Sequence, residues 1–256
     1  MNKQIQQLLA EVFGTFVLVF IGATAIVAWG SGAGGVAPFA FGLGLIAALY
    51  MFGETSGGHF NPIVSLAMFL DRRLGAREVV PYWIAQFVGA VLAALALLLM
   101  SSSDDVALAA TVPGSHGVRG AFFAELFCSA LFMIVILAVT KSEASRSTVF
   151  VAIGLTLLAI HWAIVPFSGS SVNPARSFGT ALIGNRWTDF WIYIIAPPLG
   201  AILGWLLYTV VVRGKTDIRG DLEAMRTDLS RPGPDPGSPG GGTGGSGTGG
   251  SRDDAA

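Results

Sequence analysis

Two apolar runs in this chain are too short to cross a membrane, and each is headed by Asn-Pro. The first follows Ser56-Gly57-Gly58-His59-Phe60-Asn61-Pro62-Ile63, and the second follows Ser168-Gly169-Ser170-Ser171-Val172-Asn173-Pro174-Ala175-Arg176. Asn is a preferred helix N-cap, and Pro fits the first helical position, where no backbone N–H is needed. Helices are therefore predicted over 61–70 and 173–183. At 1.5 Å per residue, ten residues rise about 15 Å, half of a ~30 Å hydrocarbon core. Gly/Ser backbone leading into a half-length helix is tolerated at membrane depth only where protein or a water-filled cavity surrounds it. Either the two segments line a solute path, or they are capped re-entrant helices with no traffic. Their occurrence as a pair, in corresponding halves of the chain, favours the first reading. Each Asn can accept from first-turn N–H groups through its side-chain oxygen while its NH2 donates elsewhere, at the positive end of a helix dipole.

The rest of the chain supplies the membrane. Apolar runs cover 8–29, 36–53, 79–100, 121–140, 149–167 and 189–212. The first is too long for a signal-peptide core, follows a single Lys and lacks a clear small-residue cleavage site, so it reads as a retained span. With 53% hydrophobic and 12% charged residues, the chain falls far from the ~25% charge of soluble domains. The expectation is an all-α membrane protein with six transmembrane helices and two re-entrant half-helices. The channel domain runs from 1 to 213, with repeats at about 8–100 and 121–213. A net charge of −1 gives no reason to expect a nucleic-acid partner, and a single cysteine, Cys128, excludes an intrachain disulfide or a Cys-based metal site. No metal or other cofactor is called for. No nucleophile–base pair or metal cluster stands out, which argues against an intramembrane enzyme.

The halves repeat each other. Asn61 and Asn173 are offset by 112 residues; Glu11 in Ala-Glu-Val-Phe-Gly and Glu125 in Ala-Glu-Leu-Phe-Cys are offset by 114. Three full spans per half is an odd number, so the second repeat must be inverted, and the two half-helices enter from opposite faces with their N-termini meeting near the midplane. A cytoplasmic N-terminus puts Lys3, Arg72, Arg73, Arg77, Lys141, Arg146, Arg213, Lys215 and Arg219 inside and leaves Arg119 and Arg186 outside, as the positive-inside rule requires. Gly200 and Gly204 form a Gly-x-x-x-Gly contact pair; Gly14, Gly42, Gly44 and Gly89 are further packing candidates. Residues 214–256, where charges give way to Pro, Gly, Ser and Thr, are expected to be a disordered cytoplasmic tail.

Glu11 and Glu125 are the only acids well inside full spans. A buried carboxylate in a membrane is costly and is retained when paired or functional. One reading is a proton relay; the other is an acceptor for the irregular backbone that leads into each half-helix.

The paired boxes, the second as Asn-Pro-Ala-Arg-Ser, resemble the major intrinsic protein family of aquaporins and glycerol facilitators over about residues 8 to 213. Ile63 departs from the Ala usual in the first box. The resemblance implies the structural role for Glu11 and Glu125, with Pro62 and Pro174 starting the half-helices and Asn61 and Asn173 donating to a central water. It also implies a selectivity filter of Phe41, His161, Ser170 and Arg176, with Phe41 and His161 facing each other across a water-wide gap. Ser170 stands where mercury-sensitive relatives carry Cys. Ser177, Ala181 and Tyr193 match the water-type pattern, whereas Ile194 matches the glycerol type. Implied overall is a water channel passing single-file water and excluding protons and ions, as a homotetramer in the lipid bilayer of the cell membrane with both termini cytoplasmic. The alternative is a facilitator for glycerol or another small neutral solute, and a non-conducting junction protein on the same fold is a third reading.

Overall fold

The computed structural model describes residues 2–30, 33–141, 148–214 and 219–230. Among these residues the regular structure is ten helices and no strand. Six helices are long and apolar enough to cross a membrane: α1 (Lys3–Trp29), α2 (Ala33–Ser56), α4 (Ala76–Met100), α6 (Gly117–Val139), α7 (Val149–Ser168) and α9 (Trp191–Leu207), the last continuing through a π-helical turn over Tyr208–Val212. Two short helices, α3 (Pro62–Leu70) and α8 (Pro174–Ile183), are the half-helices. A short helix not read from the sequence, α5 (Ser103–Leu108), follows α4. Its signal is visible in hindsight, because Ser102 and Asp105 form a capping box, with Asp105 N donating to Ser102 Oγ at 3.2 Å and Ser102 N to Asp105 Oδ2 at 3.0 Å.

The packing has the two-fold symmetry of an inverted repeat. α1 lies against α2 and α4 as α6 lies against α7 and α9, and each half-helix packs on the last span of the other repeat, α3 on α9 and α8 on α4. The close approaches need absent side chains. A β-carbon built on Gly200 or Gly204 would lie 2.3 Å from Leu126 O or 2.4 Å from Ala130 O, and one on Gly89 would lie 2.3 Å from Val12 O. Small residues at membrane helix crossings serve this purpose. Gly44 needs no such exemption, because its β-carbon would meet Ile21 at an ordinary 3.4 Å.

One basic face is laced together. Asp71, just after α3, receives Arg73 Nε and Arg213 Nη1, each at 2.7 Å, and Arg73 also donates to Thr140 Oγ1 at 2.7 Å and Leu137 O at 3.0 Å.

The tail expected to be disordered from Gly214 is partly ordered. Residues Arg219–Ser230 form α10, docked against the start of α4. Gly75, the N-cap of α4, has no side chain to offer, and Asp228 Oδ2 accepts from Ala76 N at 3.1 Å instead. Met225 is buried in the cluster that holds Met68, Leu74 and Val79. One buried Met and one cap, stabilising by about 1.5–3 and about 1 kcal/mol, favour the docking of a charged helix that composition alone reads as unstructured. Residues 231–256, Arg146 and Lys215 lie outside the described residues.

Candidate functional site

The site is built from the two loops that turn into α3 and α8. Each bends through the left-handed region at corresponding positions: Gly57, Gly58 and Phe60 in the first loop, Gly169, Ser170 and Val172 in the second. That conformation is unfavourable for Ser and Phe and worse for β-branched Val, so something must hold it. The holders are the two buried carboxylates. Glu125 accepts from Ser168 Oγ, Ser171 N and Val172 N, each at 2.7 Å. Glu11 accepts from Ser56 Oγ at 2.6 Å, His59 N at 3.0 Å, Phe60 N at 2.7 Å and Gln86 Nε2 at 2.8 Å. Two tyrosines add matching clamps, Tyr82 OH donating to Ser56 O and Tyr193 OH to Ser168 O, both at 2.8 Å. Gln86, Tyr82 and Thr111, which donates to Ser177 Oγ at 2.8 Å as Ser177 Oγ donates to Ser171 Oγ at 2.6 Å, carry no signal in the sequence. An acid flanked by apolar residues stands out by its cost, whereas a Gln or Tyr in a span does not.

The Asn side chains divide their hydrogen-bonding capacity in the same way in both loops. Asn61 Oδ1 accepts from Ile63 N at 3.1 Å; Asn173 Oδ1 accepts from Ala175 N at 3.1 Å and Arg176 N at 3.2 Å. Each amide then spends one N–H on the other loop: Asn61 Nδ2 donates to Val172 O at 2.8 Å and Asn173 Nδ2 to Phe60 O at 3.0 Å. An amide has two N–H groups, so each Asn keeps a second one, and both residues line the same narrow cavity of about 50 Å³. The cross-links fix the ring of atoms that aims those donors.

That cavity runs past Asn61 and Asn173 from Met68, Thr140 and Phe150 to Phe41, His161 and Arg176. A second cavity of about 210 Å³ lies beyond, bordered by Ile26, Leu108, Ala110 and Val165. Among the described residues the two share three lining residues: Phe41, His161 and Arg176. Side chains 120 and 135 positions from Phe41 in sequence thus meet at one level. The Arg176 guanidinium carbon stands 5.0 Å from the centre of the Phe41 ring, and Nη1 donates to Ala109 O at 2.8 Å. His161 Nδ1 is 3.1 Å from Leu157 O. The expected gap between Phe41 and His161 is not there; their ring centres are 4.7 Å apart and tilted by 38°, which is contact. Both rings come from α2 and α7, which pack directly on each other, so the helices bring the rings together instead of holding them across the lumen. Ser170 lines neither cavity, and its buried Oγ has no protein partner. His161 Nε2 and Arg176 Nε are likewise buried without one.

Other residues fall away from the lumen. Ile63 is fully buried in the core cluster and lines neither cavity, so the departure in the first box is a matter of packing. Cys128 packs against the same cluster. Ile194, the residue that matched the glycerol type, is 40% exposed and lines neither cavity. Ser177 and Ala181 are buried within α8.

Residues 1–208 match the family described as Major intrinsic protein. The chain belongs to that family. It is a multi-pass membrane protein of a channel family, with the six-span, two-half-helix fold of its relatives. Among major intrinsic proteins, Aquaporin Z of Brucella melitensis is 38% identical over 221 residues, 80% of this chain and 96% of that one. Glycerol uptake facilitator protein-like 6 of Lactiplantibacillus plantarum is 40% identical over 204 residues, 76% of this chain and 93% of that one. The X-ray structure of the aquaglyceroporin from Plasmodium falciparum superposes with a TM-score of 0.75 at 22% identity, covering 82% of this chain and 97% of that one, which speaks to the fold alone.

Proposed function

We propose that this chain is a passive water channel that excludes glycerol, ions and protons. The observation that carries the reading is the meeting of the two cavities at Phe41, His161 and Arg176, the lining residues they share among those described. At that level His161 Nε2 and Arg176 Nε are buried polar atoms without protein partners, and such groups are satisfied by water when the site can admit it. Two aromatic or imidazole rings beside a fixed guanidinium favour a solute small enough to pass one at a time. Deeper in, the free N–H groups of Asn61 and Asn173 donate to the oxygen of a central water, which orients the file and interrupts proton hopping. The positive charge of Arg176 and the inward N-termini of α3 and α8 oppose cations and hydronium. Glu11 and Glu125 serve as structural acceptors, since every oxygen of both is engaged by loop or side-chain donors.

The basic face with Arg72, Arg73, Arg77 and Arg213 is assigned to the cytoplasm, which places both termini there in the cell membrane. A homotetramer with one pore per subunit is the assembly the family resemblance supports. A glycerol facilitator remains the second reading, favoured by the 40% identity to the relative named for glycerol uptake.

Stopped-flow light scattering on proteoliposomes separates the two. A sucrose shock should give fast shrinkage, and a glycerol gradient should give re-swelling no faster than in empty liposomes. Fast glycerol re-swelling would replace the first reading by the second. Mercuric chloride should leave the water flux unchanged, because Cys128 lines neither cavity. Inhibition that Cys128→Ser abolishes would put the thiol on the water path.

A further inference from the structure

α1 carries Gly14, Leu18, Gly22 and Ile26 along one face, four residues apart, and this face touches both cavities. Leu18 lines the inner cavity and Ile26 the outer one. The glycines between them are notches that receive rings. A β-carbon on Gly14 would lie 2.0 Å from Phe60 Cε1, and one on Gly22 would lie 2.3 Å from Phe41 Cε1 and 2.4 Å from Cζ. Real carbon atoms do not approach so closely, so the Phe41 ring occupies space that any other residue at position 22 would fill. On its remaining sides the ring meets His161 at 4.7 Å and the Arg176 guanidinium at 5.0 Å. The ring is thus wedged between a glycine on α1 and the two other residues where the cavities meet.

We propose that Gly22 is a specificity-determining positioning residue: by having no side chain it lets the Phe41 ring sit back into α1, and so sets the width of the constriction. The inference rests on reading Phe41, His161 and Arg176 as the narrowest point. Any side chain at position 22 drives the ring toward His161 and Arg176 and closes the passage, without itself touching the permeating solute. The effect is local to the ring and not a general demand for glycine between α1 and α2. Gly44 lies on the same helix interface with a β-carbon position at an ordinary 3.4 Å from Ile21, and it is the internal control.

The test is a double-mutant comparison in proteoliposomes, with flux normalised to the amount of reconstituted protein. Gly22→Ala should lower water flux about tenfold, because an overpacked site relaxes by shifting its side chains and here the shifted ring narrows the passage, while Gly44→Ala should leave it within a factor of about two. Adding Gly22→Ala to Phe41→Ala should change nothing further, because the clashing ring is gone. If Gly22→Ala fails to reconstitute, Gly22→Ala with Phe41→Ala should reconstitute as well as Phe41→Ala alone. Unchanged flux in Gly22→Ala, or a loss that persists in the Phe41→Ala background, would overturn the proposal. A crystal structure of Gly22→Ala reads the same displacement without any flux, and a Phe41 ring still seated against α1 would also overturn it. Glycerol passage by the unmutated protein would instead count against the water-selective reading, leaving the Gly22–Phe41 coupling to be judged on its own.

Discussion

Glu125→Ala is expected to yield little folded protein, with a markedly lower thermal midpoint in detergent for whatever is recovered. The carboxylate is fully buried and is the shared acceptor for Ser168 Oγ, Ser171 N and Val172 N. Its removal takes the acceptor from Ser171 N and Val172 N and leaves Ser168 Oγ only Ile164 O at 3.4 Å, and each unsatisfied buried donor costs about 1–3 kcal/mol. Their sum is a large part of the stability of a typical domain, about 5–15 kcal/mol. The loop also loses what holds Val172 at a φ of 42°. Glu125→Gln should be milder but still damaging, since its oxygen can accept while its NH2 points a donor at donors. Glu11→Ala should be at least as severe, because Ser56 Oγ, His59 N and Phe60 N all lose their acceptor and only Gln86 Nε2 keeps a second one, Ser65 Oγ at 2.9 Å. Thermal unfolding of the purified variants, followed by intrinsic fluorescence, is the measurement. A Glu125→Ala protein with an unchanged midpoint and a changed proton permeability would sink the structural role and restore the relay.

The double substitution Phe41→Ala with His161→Gly is expected to raise glycerol permeability at least tenfold over wild type while water flux persists. These are two of the three residues shared by the inner and outer cavities. Because their rings are in contact at 4.7 Å, trimming one leaves the other free to lean into the space, so the full effect needs both. Neighbouring sites that share a contact are non-additive, and each single substitution should give much less than half of the combined change on a logarithmic scale. Arg176 keeps its bond to Ala109 O in either variant, so the charge barrier should survive and ion conductance should stay at background. A barrier change of 1.4 kcal/mol is tenfold in rate, well within what losing two ring contacts can supply. Glycerol re-swelling rates give the answer. An unchanged ratio of glycerol to water permeability would move the size barrier to the level of Asn61 and Asn173.

Much of this protein is legible in one dimension. Run length and apolar composition fix six spans and two half-spans, because a membrane accepts only helices that satisfy their own backbone. Asn-Pro fixes where the half-helices begin, because capping is a matter of three or four adjacent residues. The inversion follows from an odd number of spans per repeat. Glu11 and Glu125 announce themselves because an acid in hydrocarbon must have a reason.

What the sequence by itself could not decide is which way a side chain looks. Lipid and protein core are both apolar, so hydropathy does not separate a residue on the outer surface from one packed inside. Ile194 carries weight as a family marker and yet sits on the exposed outer surface, while Ile63 is buried in the core. The contact between Phe41 and His161 depends on the packing of α2 on α7, and the placing of Ser170 outside both cavities depends on how its loop turns. The order of α10 depends on Met225 and Asp228 finding partners some 150 residues earlier in the chain. Each of these is set by the relative position of two helices, and no local stretch of sequence carries that information.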